Sequence, residues 1–175
     1  SMGVASICIK DMAGIMGPQE AYDLVKAIKE NVKLPVVVHT HSTTGLGPLT
    51  LQKAVEAGAD VIDTAISSFS GGTSQPPTET MVYALQQEGY EVDLDMKVLK
   101  EINDFFKPVR AHSLETGLLN PLVMGADRDA LTYQVPGGML SNLVAQLTAQ
   151  NKLDKLDDVL AETPNVRKDL GYPPL

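Results

Sequence analysis

The stretch Pro35-Val36-Val37-Val38-His39-Thr40-His41-Ser42-Thr43-Thr44-Gly45 decides the fold class of this chain. Its three consecutive valines are typical of a strand buried on both faces, as in a parallel sheet covered by helices. His39 and His41 end that strand, and residues two apart in a strand point to the same face. Because such folds bind ligands at the carboxyl ends of their strands, the pair is predicted to share one metal ion. Two satisfied polar residues at a strand end are the alternative.

A strand followed by a helix recurs through the first 90 residues with a period of about 25 to 30 residues, which indicates parallel βα units. The expected strands lie near residues 6–10, 36–41 and 61–66, and the expected helices begin at Pro18, Pro48 and Thr78. Proline suits the first turn of a helix. Three such units cannot close a barrel of eight strands, so barrel sequence of this length would be about half of one.

After Tyr90 the alternation stops and the chain is predicted to be mostly helical. Asp95 is expected to cap a helix that ends before Pro108. The later expectations are an irregular stretch over residues 112–134, a helix after Gly137-Gly138, and two short helices over residues 154–161 and 164–170. The predicted division is therefore a barrel part over residues 1–90 and a helical part over residues 91–175.

Composition narrows the possible functions. The 175 residues are 43% hydrophobic, which is ordinary for a globular protein, and no apolar run approaches the roughly 20 residues that span a bilayer. The formal net charge of −8 argues against a nucleic-acid partner. Cys8 cannot form an internal disulfide and is expected in the core, which favours a reducing, cytoplasmic setting. Both ends of the chain look cut, so a longer parent protein is expected.

Lys10 follows the first predicted strand directly, at the same end of the sheet as the two histidines. Desolvation of an ammonium favours the neutral amine. A neutral amine reacts with carbon dioxide to give a carbamate, whose anionic oxygens suit a divalent metal. The alternative is a lysine paired with Asp11 or with an acidic residue of an adjacent strand.

The loop after the third strand, residues 67–76, is rich in serine, threonine and glycine. Glycine lets a ligand approach the main chain closely, and hydroxyl groups can hydrogen-bond it. By composition alone this loop is a linker as readily as a binding loop.

Several segments together resemble the carboxyltransferase domain of biotin-dependent enzymes. That family includes the oxaloacetate decarboxylase α subunit, the separate carboxyltransferase subunit of two-subunit pyruvate carboxylases, and the transcarboxylase that uses pyruvate. The likeness covers nearly the whole chain in order. The segments that carry it are Ser6-Ile7-Cys8-Ile9-Lys10-Asp11-Met12-Ala13-Gly14, Val38-His39-Thr40-His41-Ser42-Thr43-Thr44-Gly45, Asp63-Thr64-Ala65-Ile66-Ser67, Thr73-Ser74-Gln75-Pro76 and Val135-Pro136-Gly137-Gly138-Met139-Leu140-Ser141-Asn142.

The resemblance implies an α/β fold: strands five to eight of a (β/α)8 TIM barrel, followed by the family's helical extension. It also implies that Lys10 is carbamylated and that Lys10, His39 and His41 ligate a divalent metal, which the ligand types leave open between Zn, Mn and Co. Thr73 matches the family's proton relay between biotin and the pyruvate methyl group, and Ser74 beside it is expected to contact biotin.

The implied partners are oxaloacetate or pyruvate, biotin on a separate carrier domain, and either the rest of the barrel or a second copy in a homo-oligomer. A membrane would be reached only through partner subunits. The family's remaining aspartate ligand and its keto-acid-binding residues lie in barrel sequence that this chain lacks, so the isolated chain is expected to be inactive. The alternatives are an acyl-CoA lyase or Claisen-type synthase, against which Lys10 argues, and a non-catalytic assembly piece.

Overall fold

A computed structural model describes residues 3–133 and 135–171. Three parallel strands, β1 (Ile7–Asp11), β2 (Val36–Thr40) and β3 (Val61–Ile62), form one sheet in the order β1-β2-β3. The helices are α1 (Pro18–Asn31), α2 (Gly47–Glu56), α3 (Thr78–Gln87), α4 (Met96–Glu115), α5 (Ala130–Tyr133), α6 (Gly137–Ala149) and α7 (Leu156–Asp169). Three 3-10 turns lie at Ser67–Phe69, Pro121–Val123 and Leu153–Lys155.

One face of the sheet carries the core. Val36 and Val38 of β2 point into it and are fully buried against α1 and α2. The α1 helix begins where the sequence predicts, because Pro18 occupies its first turn and the Glu20 carboxylate accepts the Gly17 N–H at 2.8 Å. The cluster of buried residues is Ala21, Val25, Val36, Val38, Leu51, Ala54 and Met81.

The opposite face of the sheet is uncovered in the described residues. Cys8, Lys10 and Val61 are exposed there, and Val37 is half-buried. The expectation that Cys8 lies in the core is therefore wrong. The expectation that the strand of three valines is buried on both faces is also wrong, because Val37 is only half-buried. The physical reason is that α1 and α2 both pack on the same face, while alternate strand residues point to the other.

The third strand is shorter than predicted. It ends at Ile62 rather than at residue 66, although the Asp63 N–H still donates to the Val38 carbonyl at 3.0 Å. Ala65 then pairs with Pro77 in an isolated parallel bridge. The resemblance implies four strands, whereas the described residues form three. After Ile62 the chain pairs with the loop that follows it, as the bridge from Ala65 to Pro77 shows.

Two helices run through prolines at which the sequence predicts a helix boundary: the end of one helix before Pro108 and the start of another at Pro164. The α4 helix begins at the Asp95 cap, whose carboxylate accepts the Lys97 N–H at 2.8 Å, and continues past Pro108 to Glu115. Pro108 is exposed, so water can solvate the carbonyl left without a donor. Likewise α7 passes through Pro164, and the two short helices predicted there are one. The stretch expected to be irregular from residue 112 is helical as far as Glu115.

The helices of the described part of the chain are too short or too polar to cross a bilayer. The proposed boundary near residue 90 falls between α3 and α4, where residues 90–95 form neither helix nor strand. Beyond it α4 packs on the Ser67–Phe69 turn, where the Phe69 and Phe106 rings meet edge to face at 5.7 Å.

Candidate metal centre

His39 and His41 converge at the carboxyl end of β2. Their Nε2 atoms are 3.1 Å apart, and both rings are half-buried. Each ring is held through its other nitrogen: the Nδ1 of His39 lies 2.8 Å from an Asp63 carboxylate oxygen, and the Nδ1 of His41 lies 2.5 Å from the Thr73 carbonyl oxygen. The structure therefore brings the pair together as the sequence predicts.

These contacts fix the tautomers of the two rings. A carbonyl oxygen only accepts, so His41 Nδ1 must carry a proton and donate it to Thr73. The Asp63 carboxylate favours the same arrangement in His39. In the neutral rings both Nε2 atoms then present lone pairs to one point. Two facing lone pairs require a donor or a cation between them.

Gln75 supplies a donor at that point. Its side-chain amide nitrogen lies 3.4 Å from His39 Nε2 and 3.2 Å from His41 Nε2. Gln75 lies within one of the motifs quoted above, but the sequence pattern gives it no role. Asp63 lies in another of those motifs, and its carboxylate also proves to contact a histidine.

Lys10 lies beside His39, because the two residues are partners in the β1–β2 register. The side chain is exposed and makes no hydrogen bond or ion pair within residues 3–133 and 135–171. The alternative pairing with Asp11 is wrong. The Asp11 carboxylate is occupied by the N–H groups of Ile15 and Met16, at 3.1 and 3.0 Å, and by the Thr40 hydroxyl at 2.7 Å.

Thr73 and Ser74 take part in the site through their main chain. The Thr73 N–H donates to the Val123 carbonyl at 3.0 Å, while its own carbonyl holds His41. The Ser74 carbonyl accepts the Ser42 N–H at 2.7 Å, and the Ser74 hydroxyl donates to Gln75 Oε1 at 3.4 Å. The loop over residues 67–76 is therefore tied to the histidine strand and does not behave as a linker.

Gly14 allows the β1 loop to approach this strand end. Its φ is +66°, and a Cβ at this position would lie 2.4 Å from the His41 carbonyl oxygen. Any larger residue would push the Lys10 loop away from the histidines.

The two histidines fit a divalent metal. Neutral imidazoles with one nitrogen fixed by a carboxylate or carbonyl are typical metal ligands, and Zn–N bonds of about 2.0–2.1 Å allow two ligand nitrogens to lie as close as these. No group of three His, Cys, Asp or Glu side chains that could together hold a metal ion lies in the described part of the chain. A complete ligand set therefore needs Lys10 as a carbamate or oxygens from outside these residues.

The fold matches that of carboxyl transferase domains. The carboxyl transferase domain of Rhizobium etli pyruvate carboxylase superposes with a TM-score of 0.89 at 29% identity, over 97% of this chain and 28% of that one. The same domain with oxamate and biotin gives 0.90 at 30% identity, with the same coverage.

The chain belongs to the HMGL-like family, whose model matches residues 1–106. A second model, described as a conserved carboxylase domain, matches residues 130–175. A pyruvate carboxylase subunit of Methanocaldococcus jannaschii is 56% identical over 99% of this chain and 30% of its own length. The methylmalonyl-CoA carboxyltransferase 5S subunit of Propionibacterium freudenreichii subsp. shermanii is 47% identical over 99% of this chain and 34% of its own. The chain thus spans about a third of these relatives.

Proposed function

We propose that this chain is part of a biotin-dependent carboxyltransferase of the pyruvate carboxylase type, which moves a carboxyl group between oxaloacetate or pyruvate and biotin. The observation that carries the proposal is the convergence of His39 and His41 Nε2 at 3.1 Å, in a fold that matches carboxyl transferase domains. Oxaloacetate decarboxylase is the variant of the same chemistry that the sequence leaves open.

The proposed ligands of a divalent Zn, Mn or Co ion are His39, His41 and a carbamylated Lys10. Lys10 is exposed beside His39 in register, so carbon dioxide can reach its amine and a carbamate would lie on the same face as the imidazoles. The ion would polarise the keto oxygen of the substrate. Asp63 and the Thr73 carbonyl orient both imidazoles so that their Nε2 atoms face the proposed ion.

Thr73 and Ser74 are the proposed biotin-side residues. The Thr73 hydroxyl makes no hydrogen bond within the described residues, and the residue lies between the histidines and a cavity of about 600 Å³ bordered by α6. A hydroxyl in that place can pass a proton between a biotin nitrogen and the pyruvate methyl group. The proposed partners are a biotin carrier domain and either the rest of the barrel or a second copy of the chain. The proposed assembly is a homo-oligomer in the cytoplasm.

An acyl-CoA lyase or synthase remains the second class. The relatives named above are carboxylases and carboxyltransferases, which favours carboxyl transfer. A purely structural role in assembly would not explain why both rings are held with their Nε2 atoms facing each other.

The test is oxaloacetate decarboxylation in the presence of free biotin, measured on the complete enzyme that contains this segment. Thr73→Ala should lower the rate by about 100- to 10,000-fold with metal content unchanged, because it removes the hydroxyl that moves the proton. Thr73→Ser deletes the same methyl group and keeps the hydroxyl, so it should retain much more activity. Equal losses in the two variants would remove Thr73 from the mechanism, and absence of decarboxylation in the unaltered enzyme would overturn the proposed function.

A further inference from the structure

Arg110 extends the face by which α4 contacts the serine-rich loop. Asn103, Phe106 and Arg110 stand at positions i, i+3 and i+7, so they share one side of the helix. Asn103 Oδ1 accepts the Ser68 N–H at 2.7 Å, and Phe106 packs on Phe69. The helix is thereby anchored at its middle, and its next turn carries Arg110 over the following residues of the loop.

A small cavity of about 50 Å³ opens between Arg110 and that loop. Four of its lining residues carry a hydroxyl group, and no aspartate or glutamate borders it. The residues around it are Ser68, Phe69, Ser70, Gly71, Thr73, Ser74, Arg110, Leu119, Val123 and Met124. A half-buried guanidinium thus faces neutral groups only.

The charge on Arg110 is uncompensated in the described part of the chain. Guanidinium stays protonated at every pH a protein tolerates and offers five donors, so partial burial without an anion is unfavourable. The chain as a whole carries a formal net charge of −8. On the same helix Lys100 and Lys107 both pair with Asp104, whereas Arg110 is turned to the cavity instead.

We propose that Arg110 and the loop over residues 68–74 bind a small planar oxyanion, either the carboxylate of an organic acid or bicarbonate. One water needs about 10–15 Å³ of such space, so this cavity holds roughly three to five atoms of that size, which matches a carboxylate group or bicarbonate. The guanidinium fork suits a two-oxygen ligand.

This site is distinct from the histidine pair but shares Thr73 with it. The Thr73 carbonyl holds His41, and the same residue borders the Arg110 cavity. If the proposed carboxyl transfer holds, the site would keep a carboxylate close to the residue assigned to biotin; the binding itself depends only on Arg110 and the loop.

The experiment titrates the 175-residue chain with sodium acetate and, separately, with sodium bicarbonate at constant ionic strength, with phosphate as a non-planar comparison. The readouts are the backbone amide resonances of residues 68–74, which every variant keeps, and the Arg110 Nε–H resonance of the unaltered chain. The matched variants are Arg110→Gln and Arg128→Gln, which remove the same charge. The Arg128 side chain is 92% exposed and pairs with Asp129, so it controls for a general loss of positive charge.

We expect the Arg110 resonance to shift in a saturable way, and binding to weaken at least about tenfold in Arg110→Gln, which corresponds to about 1.4 kcal/mol. Arg128→Gln should bind like the unaltered chain, and Arg110→Lys should fall between them because it keeps the charge without the fork. Acetate alone saturating the site would assign an organic carboxylate, and bicarbonate alone would assign bicarbonate.

Equal weakening in the two glutamine variants, tighter binding of phosphate, or no saturable shift would overturn the proposal. The backbone amide spectrum also reports folding, since a misfolded variant loses the dispersion of its resonances. His41→Ala separates the two sites: it should abolish cobalt binding and leave the anion titration unchanged. Anion binding by the chain, together with no metal in the complete enzyme that contains this segment, would contradict the proposed function alone.

Discussion

Asp63 determines which nitrogen of His39 carries the proton. Its carboxylate lies 2.8 Å from Nδ1, while the His39 side chain is 18% exposed and that of Asp63 45% exposed. A carboxylate in this position holds the ring in the tautomer whose Nε2 lone pair faces His41, and it makes that nitrogen a better ligand. Gln75 competes for the same lone pair as a donor, so metal binding has to displace its amide.

Asp63→Ala should therefore weaken metal binding by about 10- to 100-fold, the usual effect of losing such a carboxylate partner. Asp63→Asn keeps an oxygen that can accept the Nδ1 proton and should lose less. The measurement is cobalt affinity of the chain from the visible absorption of bound Co²⁺. Asp93→Asn, at an exposed position away from the site, is the control. Unchanged cobalt affinity in Asp63→Ala would show that the Thr73 and Gln75 contacts orient the pair without it.

The histidines could be located from the sequence, but the residues that hold them could not. The pair is visible because a strand repeats every two residues, which is a local rule. Asp63 and Gln75 reach His39 from 24 and 36 residues away. No sequence periodicity predicts contacts at that separation. The roles of Asp63 and Gln75 depend on the path of the chain after the third strand, which brings both side chains to His39.

At the scale of elements, the loop after β3 is fastened to the segment around Val123 by close backbone approach. Gly72 has a φ of +53°, and a Cβ there would lie 2.3 Å from the Val123 carbonyl oxygen and 2.6 Å from the Met124 carbonyl carbon. Both obstacles are backbone atoms and cannot rotate away. The next residue, Thr73, donates its N–H to the same Val123 carbonyl.

Gly72→Ala is expected to destabilise the chain strongly and to loosen His41 with it. Gly89→Ala is the matched control, because its φ is +91° and nothing lies within 4 Å of its Cβ position. The control should cost about 1–2 kcal/mol from backbone conformation alone. Gly72→Ala should cost roughly 2–4 kcal/mol more, as a steric clash in a packed region does. Urea unfolding of both variants measures the difference, and equal costs would mean that the loop yields without penalty.

Asp60 joins three elements of the βα part of the chain. Its carboxylate accepts from Lys29 at the end of α1, at 2.8 Å, and from the N–H of Val36 in β2, at 2.7 Å. The Lys29 hydrogen bond, followed by that from Val36, holds the pKa of Asp60 below its ordinary value of 3.8. The stabilisation is thus complete above that ordinary value and is lost as the pH falls through the lowered pKa.

Asp60→Asn should lower the free energy of unfolding at pH 7 by about 1 kcal/mol, the usual scale for one such hydrogen bond. As the pH falls below the ordinary pKa of 3.8, the unaltered chain should lose stability faster than the variant, because asparagine does not titrate. Urea unfolding across this pH range tests the difference. Asp104, whose pKa is lowered to about 2 by Lys100 and Lys107, titrates in both proteins and cancels. Parallel pH profiles would exclude Asp60 as the source.

The helix boundaries show where element prediction succeeds and where it fails. The start of α1 and the cap of α4 follow from local chemistry at Pro18 and Asp95, and both are confirmed. The predicted breaks at Pro108 and Pro164 are wrong, because a proline costs a helix about 3 kcal/mol and packing of the flanking turns can outweigh that cost. The local sequence shows that a proline destabilises a helix, but it does not show the tertiary packing that compensates for this cost.

At the scale of the whole molecule, one face of the sheet has no layer of helices over it in the described residues. Cys8 and Lys10 of β1 point to it, and Val61 of β3 is 47% exposed there. The outer edges of β1 and β3 have no strand partner within residues 3–133 and 135–171. Exposed apolar side chains on a face bounded by two open edges favour association. The relatives, in which this chain spans about a third of the length, have further sequence that can cover such a face.

Cys8 reports directly on whether that face is covered, because it is the one cysteine of the sequence and its side chain is exposed on the open side. If the chain associates through this face, the rate of Cys8 alkylation by a maleimide should fall as protein concentration rises, in step with the mass from light scattering. Val61→Lys places a charge on the face and should restore both the monomer mass and the fast rate. Tyr83→Lys is the matched control at a site 62% exposed on α3. A dimer whose Cys8 still reacts at the dilute rate would assign the interface to another surface, and a monomer at every concentration would show that the open face does not drive association.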